Sequence, residues 1–292
     1  MRYLPFKYPV MRTIRQIHKA VPAHMDGLIT YRALPTSSVD HIDPFLFLNH
    51  HGPQDFKPNN NGLPFGPHPH RGFETLTFII KGDLTHWDSN GYKSVIKEGG
   101  IQWMTAGSGL IHSETSSDEF IKNGGPLEIL QLWMNLPSKL KMTPPHYVGL
   151  QAGQIPKIQE DGGKATVHLI SGDWKGQAGP VNSITGLMMS RVDMLAGGTV
   201  KANIDASHTI FFYVVKGQVA VNGKTAQMLD LVEFNNDSAE IEITAAEDSI
   251  ILLGHGAPLN EPIIAYGPFV MNTEDEIRQA YADFQSGKMG KW

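Results

Sequence analysis

The chain has no cysteine. Disulfides, thiolate nucleophiles and cysteine-ligated zinc are excluded, so any bound metal must be held by histidine and carboxylate. No stretch approaches the roughly 18 consecutive apolar residues of a membrane-spanning helix, and no membrane role is expected. There is no basic excess either, since 24 Lys and Arg stand against 29 Asp and Glu for a formal charge of −5. Proteins held to nucleic acid through phosphate contacts are usually basic, so direct nucleic-acid binding is not expected. Helical periodicity is nearly missing as well.

What fills the chain instead is a succession of short apolar or alternating runs broken by Gly, Asn, Asp and Pro, such as "TLTFIIKGDLTHW", "LQLWMNL", "IFFYVVKGQVAVNG" and "SIILLG". That pattern predicts an all-β sandwich or barrel. Asn-Gly at 90–91 and at 222–223 marks two hairpins. One helix stands out near the C-terminus. Thr273 and Glu276 form a capping box, Ile277, Ala280, Tyr281 and Phe284 an apolar stripe, and Gly287 a stop.

At 292 residues, of which 41% are hydrophobic, the chain is long enough for two domains. "FIIKGDLTHWDSNG" at 78–91 aligns with "FYVVKGQVAVNG" at 212–223. Duplication of one β-unit explains the match, with the Pro- and Lys-containing stretch 136–147 as the linker. The expected division is 1–138 and 139–292. The start of the chain carries Arg2, Lys7, Arg12, Arg15 and Lys19, with no acid before Asp26. A transit peptide has that composition, but Pro5 and Pro9 spoil an amphipathic helix, and a first strand behind a basic lead is the simpler reading. Without a secretory apolar region, the expected compartment is the cytoplasm.

The chemistry concentrates in two pairs. "FGPHPHRGFE" places His68 and His70 two residues apart at the start of an apolar strand. Alternate strand residues share a face, so both imidazoles can tilt toward one point. "QWMTAGSGLIHSE" supplies a second pair at the same spacing, His112 and Glu114, behind Gly107 and Gly109. Three imidazoles and a carboxylate suit a first-row divalent metal with open coordination positions. Iron(II) is the first choice, since such sites suit oxygen chemistry; manganese, copper, nickel and zinc fit the same donors. The chain has 13 histidines, so some pairs arise by chance. The adjacent His50 and His51 face opposite ways on a strand and cannot both chelate. Glu74, four residues beyond His70, has the spacing to share the ligand face, but pairing with Arg71 or capping the strand suits it equally, and it is left out of the metal set.

These blocks resemble the cupin superfamily and, within it, the pirin family, whose second motif supplies the carboxylate as His-x-Glu. The likeness extends through "RTIRQI", "IDPFLFLNH", "LQLWMNLP" and "EPIIAYGPFVMNTEDEIRQA". It implies a bicupin of two jelly-roll barrels, with one mononuclear iron site in the first barrel held by His68, His70, His112 and Glu114. Asn49 departs from the family's pattern, in which an Asp is expected. In the second half, Asn203 and Asp205 align with the two histidines and His208 stands alone, which implies a metal-free barrel.

The resemblance also implies a metal-dependent dioxygenase of the quercetin 2,3-dioxygenase type. A flavonol-like substrate would lose its 3-hydroxyl proton to Glu114. Phe45, Phe47, Trp103 and Trp133 are candidates for an aromatic pocket, although ordinary core packing accounts for at least half of them. The alternative is an iron-dependent regulatory module that binds a partner protein, with the metal as a redox switch. A third reading is a metal-assisted isomerase, because this fold hosts many chemistries. A bicupin can pack its two halves on each other, so a monomer is expected.

Overall fold

A computed structural model describes residues 11–292, and the basic lead at 1–10 lies outside the described residues. Two compact units emerge, both built from antiparallel sheets of seven and four strands. Among the described residues, the first comprises 20–155 and 259–292, the second 11–19 and 156–258. No helix of the described residues is long and apolar enough to cross a membrane.

In the first unit the seven-stranded sheet runs in the order His146–Leu150, Ile101–Thr105, Phe73–Lys81, Gly125–Asn135, Phe45–Phe56, Thr30–Leu34 and Val21–Pro22. Its four-stranded partner runs Phe65–His70, Leu110–Thr115, Asp83–Asp88 and Lys93–Lys97. Side chains of Leu84, Ile96, Leu127, Ile129 and Phe120 form an apolar core at one end. The second unit repeats the plan around Val192, Val200, Phe212, Val214, Ile243 and Leu253.

The internal repeat is visible at the two Lys-Gly pairs. Lys81 closes the Phe73–Lys81 strand and Lys216 closes Thr209–Lys216, and the glycines that follow have φ +84° and +81°. Both sit where only a residue without Cβ turns easily into the next strand. The hairpin at Asn222–Gly223 has positive φ at both turn residues, as a two-residue loop requires.

The units do not follow the expected division at residue 138. The strand Ile14–Lys19 pairs with Asp230–Phe234 and so belongs to the second unit. The chain stays in the first unit through His146–Leu150, which pairs with Ile101–Thr105. Lys141, in the expected linker, is buried, and its ammonium donates to Gly72 O, Asn135 Oδ1 and Val270 O. The C-terminal helix Glu274–Gln285 carries the expected capping box and packs Ile277, Ala280, Tyr281 and Phe284 against Phe269 and Met271, which puts it with the first unit. Linker-like composition does not reveal a docked lysine, and a terminal helix gives no sign of which barrel it returns to.

Candidate metal centre

His68 and His70 end the strand Phe65–His70, and His112 lies in the neighbouring Leu110–Thr115 strand, directly opposite His68. Cross-strand partners share one face of the sheet, so the three rings meet inside the first barrel. Their ring centroids are 4.4–4.9 Å apart, and one ligand atom from each falls within 4.8 Å of the others.

Two of the rings are prepared for coordination by what the other nitrogen does. His68 Nδ1 donates to Gly66 O at 2.7 Å, and His70 Nδ1 donates to Pro268 O at 3.3 Å. A carbonyl can only accept, so Nδ1 carries a proton, and in the neutral ring it is Nε2 that keeps the lone pair. His70 Nε2 and both nitrogens of His112 are buried with no hydrogen-bond partner among the described residues. Burial, reinforced by the neighbouring His68, pushes the His70 pKa down to about 3. His112 is held well below the ordinary value by burial and then by His70, His68 and His86. His70 and His112 therefore resist protonation and present unshared lone pairs. Buried polar atoms left unpaired are costly, and a first-row divalent cation is the partner that imidazoles of this kind fit.

Glu114 is not in the three-histidine cluster. The pairing shifts by one residue between His112 and Glu114, and Glu114 comes to lie opposite Phe65. Its buried carboxylate accepts from Gln102 Nε2 and Thr77 Oγ1 on one oxygen and from Gln131 Nε2 on the other. The two amides are oriented in turn. Trp133 Nε1, which can only donate, reaches Gln131 Oε1 at 3.1 Å, and the Tyr147 hydroxyl donates to Gln102 Oε1 at 3.3 Å. Both NH2 groups must then face Glu114. Thr77, Gln102 and Gln131 were not singled out from the sequence, although each is a polar residue set inside an apolar strand.

Glu74 lies elsewhere. Gly72, at φ +89°, breaks the run between His70 and the next strand, so even spacing does not carry the ligand face across. Glu74 accepts from Trp103 Nε1 at 3.0 Å and Thr105 Oγ1 at 2.6 Å, and burial raises its pKa. Trp103 is adjacent to Gln102 on its strand and so faces the opposite side of the sheet from it. Phe45 is fully buried and pairs with Met134 across an irregularity, out of step with Phe47 and Trp133. Those last two do flank the site: Trp133 stacks on Phe47 at 4.5 Å and lies 4.4 Å from Phe73 and 5.2 Å from His70. Asn49 accepts from Arg32 Nε at 2.6 Å.

In the second unit, Asn203 donates to Glu240 and Asp205 accepts from Ser207. His208 is not alone, as expected, but pairs with His255, with their Nδ1 atoms 3.1 Å apart.

Two family models match the chain, Pirin over residues 27–134 and the Pirin C-terminal cupin domain over residues 189–290. A protein of Pseudomonas aeruginosa named "putative quercetin 2,3-dioxygenase" is 39% identical over 248 residues, covering 85% of this chain and 87% of its own. A pirin-like protein of Solanum lycopersicum is 36% identical over 269 residues, covering 91% of this chain and 88% of its own. The crystal structure of quercetin 2,3-dioxygenase from Acinetobacter baumannii superposes with a TM-score of 0.91 at 36% identity, covering 97% of this chain and 99% of that one.

Proposed function

The chain belongs to the pirin family, and from that premise we propose that it is a metal-dependent dioxygenase of the quercetin 2,3-dioxygenase type, with iron(II) as its metal. The observation that carries this reading is the trio His68, His70 and His112, whose ligand nitrogens converge while Gly66 O and Pro268 O take up the Nδ1 protons of the first two. The trio would hold the ion, with Glu114 as the carboxylate of the same centre. Bound there, a first-row divalent metal supplies Lewis acidity to an enolic oxygen and redox chemistry toward dioxygen.

The chain's own residues supply the rest. Glu114, whose two oxygens both accept amide protons, is the base for the substrate's 3-hydroxyl proton. Gln102, Gln131 and Thr77 fix where that base sits. Phe47, Trp133 and Phe73 give a flavonol an apolar wall ending at His70. This wall positions the aromatic rings and excludes water from one side of them. We read the protein as a cytoplasmic monomer acting on a small molecule.

Iron-loaded protein should take up oxygen in the presence of quercetin and release carbon monoxide, and Glu114→Gln should abolish turnover. Stoichiometrically loaded protein that takes up no oxygen would remove this reading. Redox-dependent capture of a protein partner by the same material would instead favour a regulatory module.

A further inference from the structure

One row of cross-strand neighbours crosses the inner face of the seven-stranded sheet. Arg32 pairs with Asn49, Asn49 with Gln131, Gln131 with Thr77, and Thr77 with Gln102. Every member is polar, and Thr77, Gln102 and Gln131 all converge on Glu114. Arg32 stands at the other end of the row. Its Nε is spent on Asn49 Oδ1, and its guanidinium lies 4.3 Å over the Phe47 ring. The four N–H groups on its Nη atoms have no acceptor among the described residues, and no carboxylate there forms an ion pair with it.

A half-buried guanidinium without a counter-charge is unusual, because desolvation of a cation is normally offset by an anion. Arg32 and the side chains leading from it (Phe47, Gln131 and Trp133) all keep partial exposure, whereas Leu46, Leu48, Leu132 and Met134 beside them are buried. From the guanidinium to Phe47, from Phe47 to Trp133 and from Trp133 to His70 the steps are 4.3, 4.5 and 5.2 Å. A planar aromatic molecule lying on that wall would have one end at the histidines and the other at Arg32.

We infer that Arg32 is a specificity residue that binds an anionic oxygen at the end of an aromatic substrate remote from the three histidines. The inference rests on the dioxygenase reading for its substrate class, but recognition by Arg32 is a binding property and is tested without turnover. Phe47 and Asn49 hold the guanidinium in one plane. The Nη donors then present a fork to a phenolate or carboxylate, a geometry a lysine cannot reproduce.

The test compares quercetin, which carries ionisable hydroxyls on its outer rings, with 3-hydroxyflavone, which lacks them. Dissociation constants for the metal-loaded protein are read from quenching of tryptophan fluorescence. Arg32→Met should weaken quercetin about tenfold or more, the scale of one charge-assisted hydrogen bond. It should leave 3-hydroxyflavone within about twofold and metal content unchanged. Arg32→Lys should keep the charge and restore part of the discrimination. Equal weakening of both ligands, unchanged quercetin binding, or a loss of metal would each overturn the assignment. If discrimination is seen but wild-type protein consumes no oxygen, Arg32 stands and the dioxygenase reading falls. Turnover without discrimination removes Arg32 and leaves that reading intact.

Discussion

His112→Leu should stabilise the metal-free protein while destroying its metal binding. His112 is fully buried, and neither of its ring nitrogens has a hydrogen-bond partner among the described residues. Leaving a buried polar group unpaired costs about 1–3 kcal/mol. Leucine is of similar size, and such swaps in a packed core cost less than about 1.5 kcal/mol. The balance is a gain near 1 kcal/mol, which raises the melting temperature of a domain this large by about 2–4 °C. The assay is thermal unfolding with and without chelator. Wild type should gain stability from metal, and His112→Leu should be more stable than wild type only when metal is removed. If the variant is less stable than wild type by about 2 kcal/mol in chelator, the ring has an ordinary packing role and the argument fails.

Three further outcomes follow from the same contacts. His51 and His70 are each depressed to about 3, chiefly by burial, so the unfolded chain binds protons that the folded chain refuses. Stability is therefore complete above about pH 6.5 and declines as pH falls toward 3, by up to about 1.4 kcal/mol per pH unit per histidine, which urea unfolding at several pH values will show. Arg71→Met breaks the buried pair with Asp283 at 2.9 Å, and Asp283 keeps only Lys288 and Gln279. The expected cost is about 3 kcal/mol, and hydrogen exchange should localise the loosening to the C-terminal helix. Gln131→Leu removes a donor to Glu114 and the acceptor of the Trp133 indole, so turnover of quercetin should fall about 10–100-fold while metal content is retained.

The parts of this fold that could be read in advance are those set by local pattern. Alternation and Asn-Gly turns announce the barrels, Lys81-Gly82 and Lys216-Gly217 announce their duplication, and Thr273 with Glu276 announces the helix. His68, His70 and His112 were legible because period-two spacing fixes a face, and strand pairing supplies the third ring. For Glu114 register matters as well as spacing, since a one-residue shift in pairing sets it opposite Phe65, where its carboxylate accepts from Gln102 and Gln131. Glu74 shows the limit of spacing alone, because a glycine turn resets the face before its strand begins. The polar row from Arg32 to Gln102 spans five strands from separate parts of the sequence, and only register brings its members into line. The exchange of terminal segments between the units is likewise tertiary, set by strand pairing at Ile14–Lys19 and by Arg71 with Asp283.

The most direct test of the central claim is oxygen uptake with quercetin, measured on iron-loaded protein whose metal content has been determined. The account predicts stoichiometric metal in the wild type, uptake matched to quercetin consumed, and loss of both in His68→Ala/His70→Ala. Wild-type protein that holds no stoichiometric metal, or that takes up oxygen equally well after the two histidines are removed, would contradict it.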